Sequence, residues 1–172
     1  KYGIWTDAYY ATSNDFSSAG SYVGSTVYAF NRAALTSGSA TASMQKFTLG
    51  SANKHFSMVP VRWEGTTTPP TGSGGLIAYM NDNTWSGASS DSIGLFECKI
   101  NFTTPSSSVV VQKSSLAVTA NTVPICTSTS GYCIPQPGTT TKLDGLDSRI
   151  MNQPVYRNFG SYEGIVLTYS VN

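Results

Sequence analysis

Asp7 sits in Trp5-Thr6-Asp7-Ala8-Tyr9, a carboxylate with an aromatic ring two residues to either side. In an extended strand, side chains at every second position share a face, so Trp5, Asp7 and Tyr9 predict a surface where rings stack on a sugar beside an acid. Glycoside hydrolysis needs a second carboxyl group across the bond. Glu97 and Glu163 are the candidates for it, with Asp144 and Asp147 behind them. The competing expectation is structural: Asp7 caps a turn or pairs with Arg149 or Arg157, and Asp147, Arg149 and Arg157 form an ion-pair set that holds sheets together. A buried carboxylate needs a partner, and arginine offers a bidentate one.

Other chemistries find less support. A serine-hydrolase elbow requires Ser at its centre, but Gly20-Ser-Tyr-Val-Gly24 and Gly160-Ser-Tyr-Glu-Gly164 carry Tyr22 and Tyr162 there. The single histidine, His55, is expected to be a surface or hydrogen-bonded residue at a loop end. Gly72-Ser-Gly-Gly75 lacks the lysine and helix of a phosphate loop. No cofactor is expected; a structural calcium could draw on Asn81, Asp82, Asn83 and Asp91, although EF-hand spacing is absent. Cys126 and Cys133 enclose a short Ser/Thr/Gly loop that suits a local disulfide, worth roughly 2–3 kcal/mol in the chain-entropy model. Two unrelated thiols are the other reading, and metal binding is disfavoured because His55 is remote. Cys98 alternates with Phe96, Ile100 and Phe102, which predicts a buried core thiol. Asn101-Phe-Thr103 matches a glycosylation sequon.

The elements that must position these residues are strands. Over 172 residues, 40% are hydrophobic and 12% aromatic, enough for one domain with a core. Only 11% are charged, with Ser, Thr, Asn and Gly in place of the usual surface charges, which points to an exported, extracellular protein. A net charge of +1 offers no field for phosphate backbones or anionic lipid, so nucleic acid and membrane partners are not expected. Period-2 patterning predicts strands at Ile4–Ala11, Thr26–Asn31, Gln45–Leu49, Ser57–Trp63, Leu76–Asn81, Ile93–Phe102, Ser108–Lys113, Arg149–Tyr156 and Ile165–Val171, with a helical turn at Arg32–Ser37. Proline and glycine segments, including Pro135-Gln-Pro-Gly138, read as turns. Many short strands so punctuated predict an all-β sandwich, barrel or propeller.

The two Gly-Ser-Tyr-x-Gly turns echo each other, as a blade repeat would. The abrupt ends suggest an excerpt of a longer chain. Tyr2-Gly-Ile-Trp-Thr-Asp-Ala-Tyr-Tyr10, Val27-Tyr-Ala-Phe-Asn-Arg32, Cys133-Ile-Pro-Gln-Pro-Gly138, Leu143-Asp-Gly-Leu-Asp-Ser-Arg-Ile-Met151 and Tyr156-Arg-Asn-Phe-Gly160 together resemble a family of secreted, largely uncharacterised bacterial proteins with a β-propeller-like domain. The resemblance runs over nearly the whole chain. It implies that residues 1–172 are part of a larger propeller, and it implies the Cys126–Cys133 bridge, since the cysteine before the Cys133 segment is matched. The chain departs from that pattern at Thr6, Asn152 and Tyr162, where Pro, Tyr and His are usual. The expected function is a structural, adhesive or ligand-binding role outside the cell, with glycan or protein ligands. A carbohydrate-active propeller enzyme and a subunit of an extracellular filament are the alternatives.

Overall fold

The computed structural model describes residues 1–50, 55–83, 88–119, 132–146 and 149–169. Thirteen strands follow in chain order: β1 Tyr2–Ile4, β2 Ala8–Phe16, β3 Tyr22–Asn31, β4 Met44–Gly50, β5 Val59–Pro60, β6 Arg62–Glu64, β7 Gly75–Asn81, β8 Ser92–Lys99, β9 Val109–Ala117, β10 Tyr132–Gln136, β11 Thr139–Asp144, β12 Val155–Asn158 and β13 Glu163–Val166. An α-helical turn, α1 Arg32–Thr36, links β3 to β4, and Asn31 caps it by accepting the Ala34 N–H at 3.1 Å. The chain is all-β.

Among the described residues the strands form four open sheets. The first is the antiparallel meander β1-β2-β3-β4, and the second is β5-β7-β8-β9, also antiparallel. The third, β13-β12-β6, pairs β12 with β6 in parallel and with β13 in antiparallel register. The fourth is the β10-β11 hairpin.

One core joins the first three sheets. The continuous run Leu76-Ile-Ala-Tyr-Met80 in β7 is buried at every position, the pattern of a strand covered on both faces rather than on one. Two tyrosines lie where glycines leave room. A Cβ on Gly75 would come within 2.2 Å of the Tyr10 ring, and one on Gly94 within 2.1 Å of the Tyr79 ring. Trp5 packs on Tyr156 with ring centroids 4.9 Å apart, tying the first sheet to the third. Burying each such ring contributes about 1.5–3 kcal/mol.

Several sequence expectations change. Ile4–Ala11 is not one strand: the Trp5 N–H bonds to the Ala8 carbonyl at 3.0 Å, so a tight turn interrupts the two-residue period. Ser57–Trp63 divides between β5 and β6, which belong to different sheets. Only the last two residues of Arg149–Tyr156 are in a strand, β12. Pro135 and Gln136 belong to β10; a two-stranded ribbon has only edges, where a missing N–H donor is tolerated.

Candidate ligand-binding site

Tyr79 in β7 and Phe96 in β8 lie side by side, centroids 4.8 Å apart, because Tyr79 faces Gly94 across the ladder and spreads over it. The imidazole of His55 meets both rings edge-on, at 4.7 Å from Tyr79 and 4.9 Å from Phe96. Burial among these rings disfavours the charged imidazolium and pushes the His55 pKa below its ordinary value, so the ring is neutral at pH 7. Its Nδ1 is buried without a hydrogen-bond partner.

The first sheet holds His55 in place. Ser25 Oγ donates to the His55 carbonyl at 2.9 Å, and the Tyr22 hydroxyl lies 2.8 Å from that same Ser25 oxygen. Next to His55, Phe56 meets the edges of Tyr22 and Phe16 at 5.5 and 6.3 Å. The Arg149 guanidinium lies over Phe56, 5.2 Å from its centroid. The turn after β2 thus reaches the floor of the second sheet through a hydroxyl relay and a ring cluster.

Beside His55 and Tyr79 a cavity of about 200 Å³ opens, lined further by Asn81, Ser92, Gln112, Ser115 and the 88–90 segment. Among the described residues the lining offers hydroxyls, two carboxamides, a phenol and a neutral imidazole, but no carboxylate and no cation. Such a set can exchange hydrogen bonds with a neutral ligand in both directions. It contains no acid–base pair.

The residues expected to act from sequence lie outside this cavity. Trp5 is only 1% exposed, and its indole N–H donates to the Ser73 carbonyl at 3.3 Å. It has no open face for a sugar, so Trp5, Asp7 and Tyr9 do not make the expected platform; the turn at residues 5–8 breaks the alternation that would align them. Asp7 Oδ2 accepts from the Tyr10 hydroxyl at 2.9 Å while Oδ1 is buried without a partner, and burial raises the carboxyl pKa. The guanidinium that reaches this turn is that of Arg32, which donates to the Trp5 and Thr6 carbonyls, not that of Arg149 or Arg157.

Glu97 accepts from Lys113 Nζ and from the Gly74 N–H, both at 3.2 Å, with Lys99 Nζ at 3.8 Å. Burial opposes its charge, but these partners outweigh it and hold the pKa below the usual carboxylate range. Glu163 accepts from the Tyr156 hydroxyl at 2.6 Å; burial first, and then this bond, raises the pKa of that tyrosine. Arg149 lies 3.8 Å from Asp144, whereas Asp147 falls outside the described residues, and Arg157 rests over the Phe159 ring.

Cys98 is a free, fully buried thiol whose pKa is raised by burial, which leaves it a core residue. Cys133 lies in β10, but Cys126 is outside the described residues, and the expected bridge with it. Asp82 and Asp91 are buried at the mouth of one loop, where Asp91 Oδ1 accepts the Asn83 N–H at 2.7 Å. Among the described residues no three of His, Cys, Asp or Glu converge as a metal shell. Asn101 spends its side-chain oxygen on the Thr103 and Thr104 N–H groups.

Sequence reasoning missed the cavity because its lining comes from β7, β8, β9 and two connections, with only the lone histidine as a flag. No family model matches the chain, and no curated protein or solved structure is significantly similar to it.

Proposed function

We propose that the chain is a segment of an exported β-propeller protein that binds a neutral, hydroxyl-rich ligand in the cavity beside His55 and Tyr79. The carrying observation is the chemistry of the lining: among the described residues it offers donors and acceptors and no charged group. An ionic ligand would lose its hydration there without gaining a counter-charge, whereas a sugar or polyol exchanges water hydrogen bonds for equivalent ones. Tyr79 adds a ring wall. Two successive four-stranded antiparallel sheets, each with a free outer strand among the described residues, β4 and β9, support the propeller assignment, since blades have this form. The Ser/Thr-rich, sparsely charged surface supports export.

Titration calorimetry with neutral monosaccharides and polyols tests the proposal, with Ser115→Trp closing the mouth from an exposed β9 position. A saturable component of the binding that the tryptophan abolishes is expected. An isotherm unchanged by the substitution, or no binding across the series, would overturn it.

A second proposal, glycoside hydrolysis, is favoured by one contrast. Asp7 is raised towards the protonated form while Glu97 is lowered towards the charged one, and opposed carboxyl environments are what acid–base catalysis uses. Loss of glycan turnover in a folded Asp7→Asn variant would establish it. Absence of turnover in the unsubstituted chain would remove it.

A further inference from the structure

The hairpin β12–β13 ends in Asn158-Phe-Gly-Ser-Tyr-Glu163 and is built to present rings. Gly160 adopts φ +88°, its N–H bonds Asn158 Oδ1 at 2.8 Å, and the Phe159 N–H bonds the Tyr162 carbonyl at 2.9 Å. This turn stacks Phe159 on Tyr162, centroids 4.7 Å apart and planes within 16° of parallel. The Arg157 guanidinium lies over the Phe159 ring, 5.3 Å from its centroid, and the arginine side chain runs along Gly65, where an added Cβ would be 3.4 Å from Nε. The base of the hairpin is fastened as well. Asn158 Nδ2 donates to the Thr68 carbonyl at 2.7 Å and Trp63 Nε1 to the Thr67 carbonyl at 3.0 Å.

The stack is ordered yet open. Phe159 is 49% and Tyr162 62% exposed, and among the described residues no protein group bonds the Tyr162 hydroxyl. Two parallel rings held in place without burial have already met the entropic cost that a ligand would otherwise bring to ordering them. Their free face is negative, by the ring quadrupole. The matching ligand presents a flat array of weakly positive C–H groups with polar groups at its rim. A pyranose ring has that form: axial C–H bonds on a face, hydroxyls around the edge. A nucleobase would stack as well, but a net charge of +1 with no cluster of lysine and arginine gives a phosphate backbone little to hold.

We infer that the Phe159–Tyr162 stack is a carbohydrate-binding platform, taking a pyranose unit of a neutral saccharide chain on the exposed Tyr162 ring. The platform is separate from the cavity beside His55 and does not rest on it.

The test follows the Phe159 and Tyr162 ring proton resonances of the full chain during titration with soluble β-1,4-linked hexasaccharides of glucose and of N-acetylglucosamine. Saturable shifts of these rings are expected with at least one of the two. Tyr162→Ala should weaken binding about tenfold or more, whereas Tyr162→Phe, which keeps the ring, should stay within about threefold. Ser115→Trp should leave the shifts unchanged, which separates this site from the cavity. Four results overturn the inference: rings unmoved by both saccharides, undiminished binding in Tyr162→Ala, an equal loss in Tyr162→Phe, or equally tight binding of a thymidine oligonucleotide.

Discussion

Two hairpins of this molecule share a sequence and part with it in use. The β2–β3 turn and the β12–β13 turn both contain Gly-Ser-Tyr, and in both the glycine is left-handed, φ +80° at Gly20 and +88° at Gly160. In both the tyrosine meets a phenylalanine from the first half of the hairpin, Phe16 at the end of β2 for Tyr22 and Phe159 just past β12 for Tyr162. At the first hairpin the pair is edge-on, a third ring joins it from Phe56, and the Tyr22 hydroxyl meets Ser25, whose oxygen bonds the carbonyl of His55. At the second the pair is stacked and stands open. The same local chemistry is consumed by packing in one place and left available in the other. What differs is whether a neighbouring segment arrives to cover the tyrosine: Tyr22 is half-buried against Phe56, whereas Tyr162 is 62% exposed.

The largest expected contrast is in stability. Tyr22→Ala removes a ring from a three-ring cluster and a hydroxyl from a relay, and should cost about 2–3 kcal/mol, whereas Tyr162→Ala should stay within about 0.5 kcal/mol. Urea unfolding of the two variants measures both, and equal losses would break the comparison. Gly20→Ala and Gly160→Ala sharpen it from the other side. An added Cβ meets nothing within 4 Å at either glycine, so each substitution reports only left-handed backbone strain, about 1–2 kcal/mol, and the two losses should match. Tyr22→Phe keeps the cluster and deletes only the hydroxyl. It should cost about 0.5–1.5 kcal/mol and loosen His55, seen as faster amide exchange around residue 56, with no counterpart for Tyr162→Phe.

The smallest effect is in pH dependence. Burial lowers the folded pKa of His55 below the ordinary 6.5, so the unfolded chain binds the proton first as pH falls. The stability of the neutral ring is therefore complete above 6.5 and is lost progressively as pH drops from there towards the depressed folded value. His55→Phe should flatten that part of the stability profile as pH falls below the ordinary 6.5 while leaving the Phe159–Tyr162 ring resonances unmoved. An unchanged profile would mean that His55 is not held neutral by its surroundings.

Much of the framework could be read from residue order. Alternation and glycine–proline punctuation place most of the strands, since side-chain direction in a strand depends only on neighbouring positions. The repeated Gly-Ser-Tyr turn was visible as an echo, because a left-handed glycine is a local demand. The same local logic failed at Trp5-Thr-Asp7, where a single backbone hydrogen bond from Trp5 to Ala8 replaces the strand and sends the tryptophan into the core. It failed again at Ser57–Trp63, whose two halves serve different sheets.

The sequence by itself determined that this chain is all-β, sparsely charged and hairpin-rich, because strand period and turn chemistry act over a few residues. Only the tertiary structure decided that His55 lies under Tyr79 and Phe96, that Trp5 is buried, and that Tyr22 is half-buried against Phe56 while Tyr162 stands exposed. Those outcomes depend on which distant segment comes to rest on each ring, and no pattern of adjacent residues encodes that.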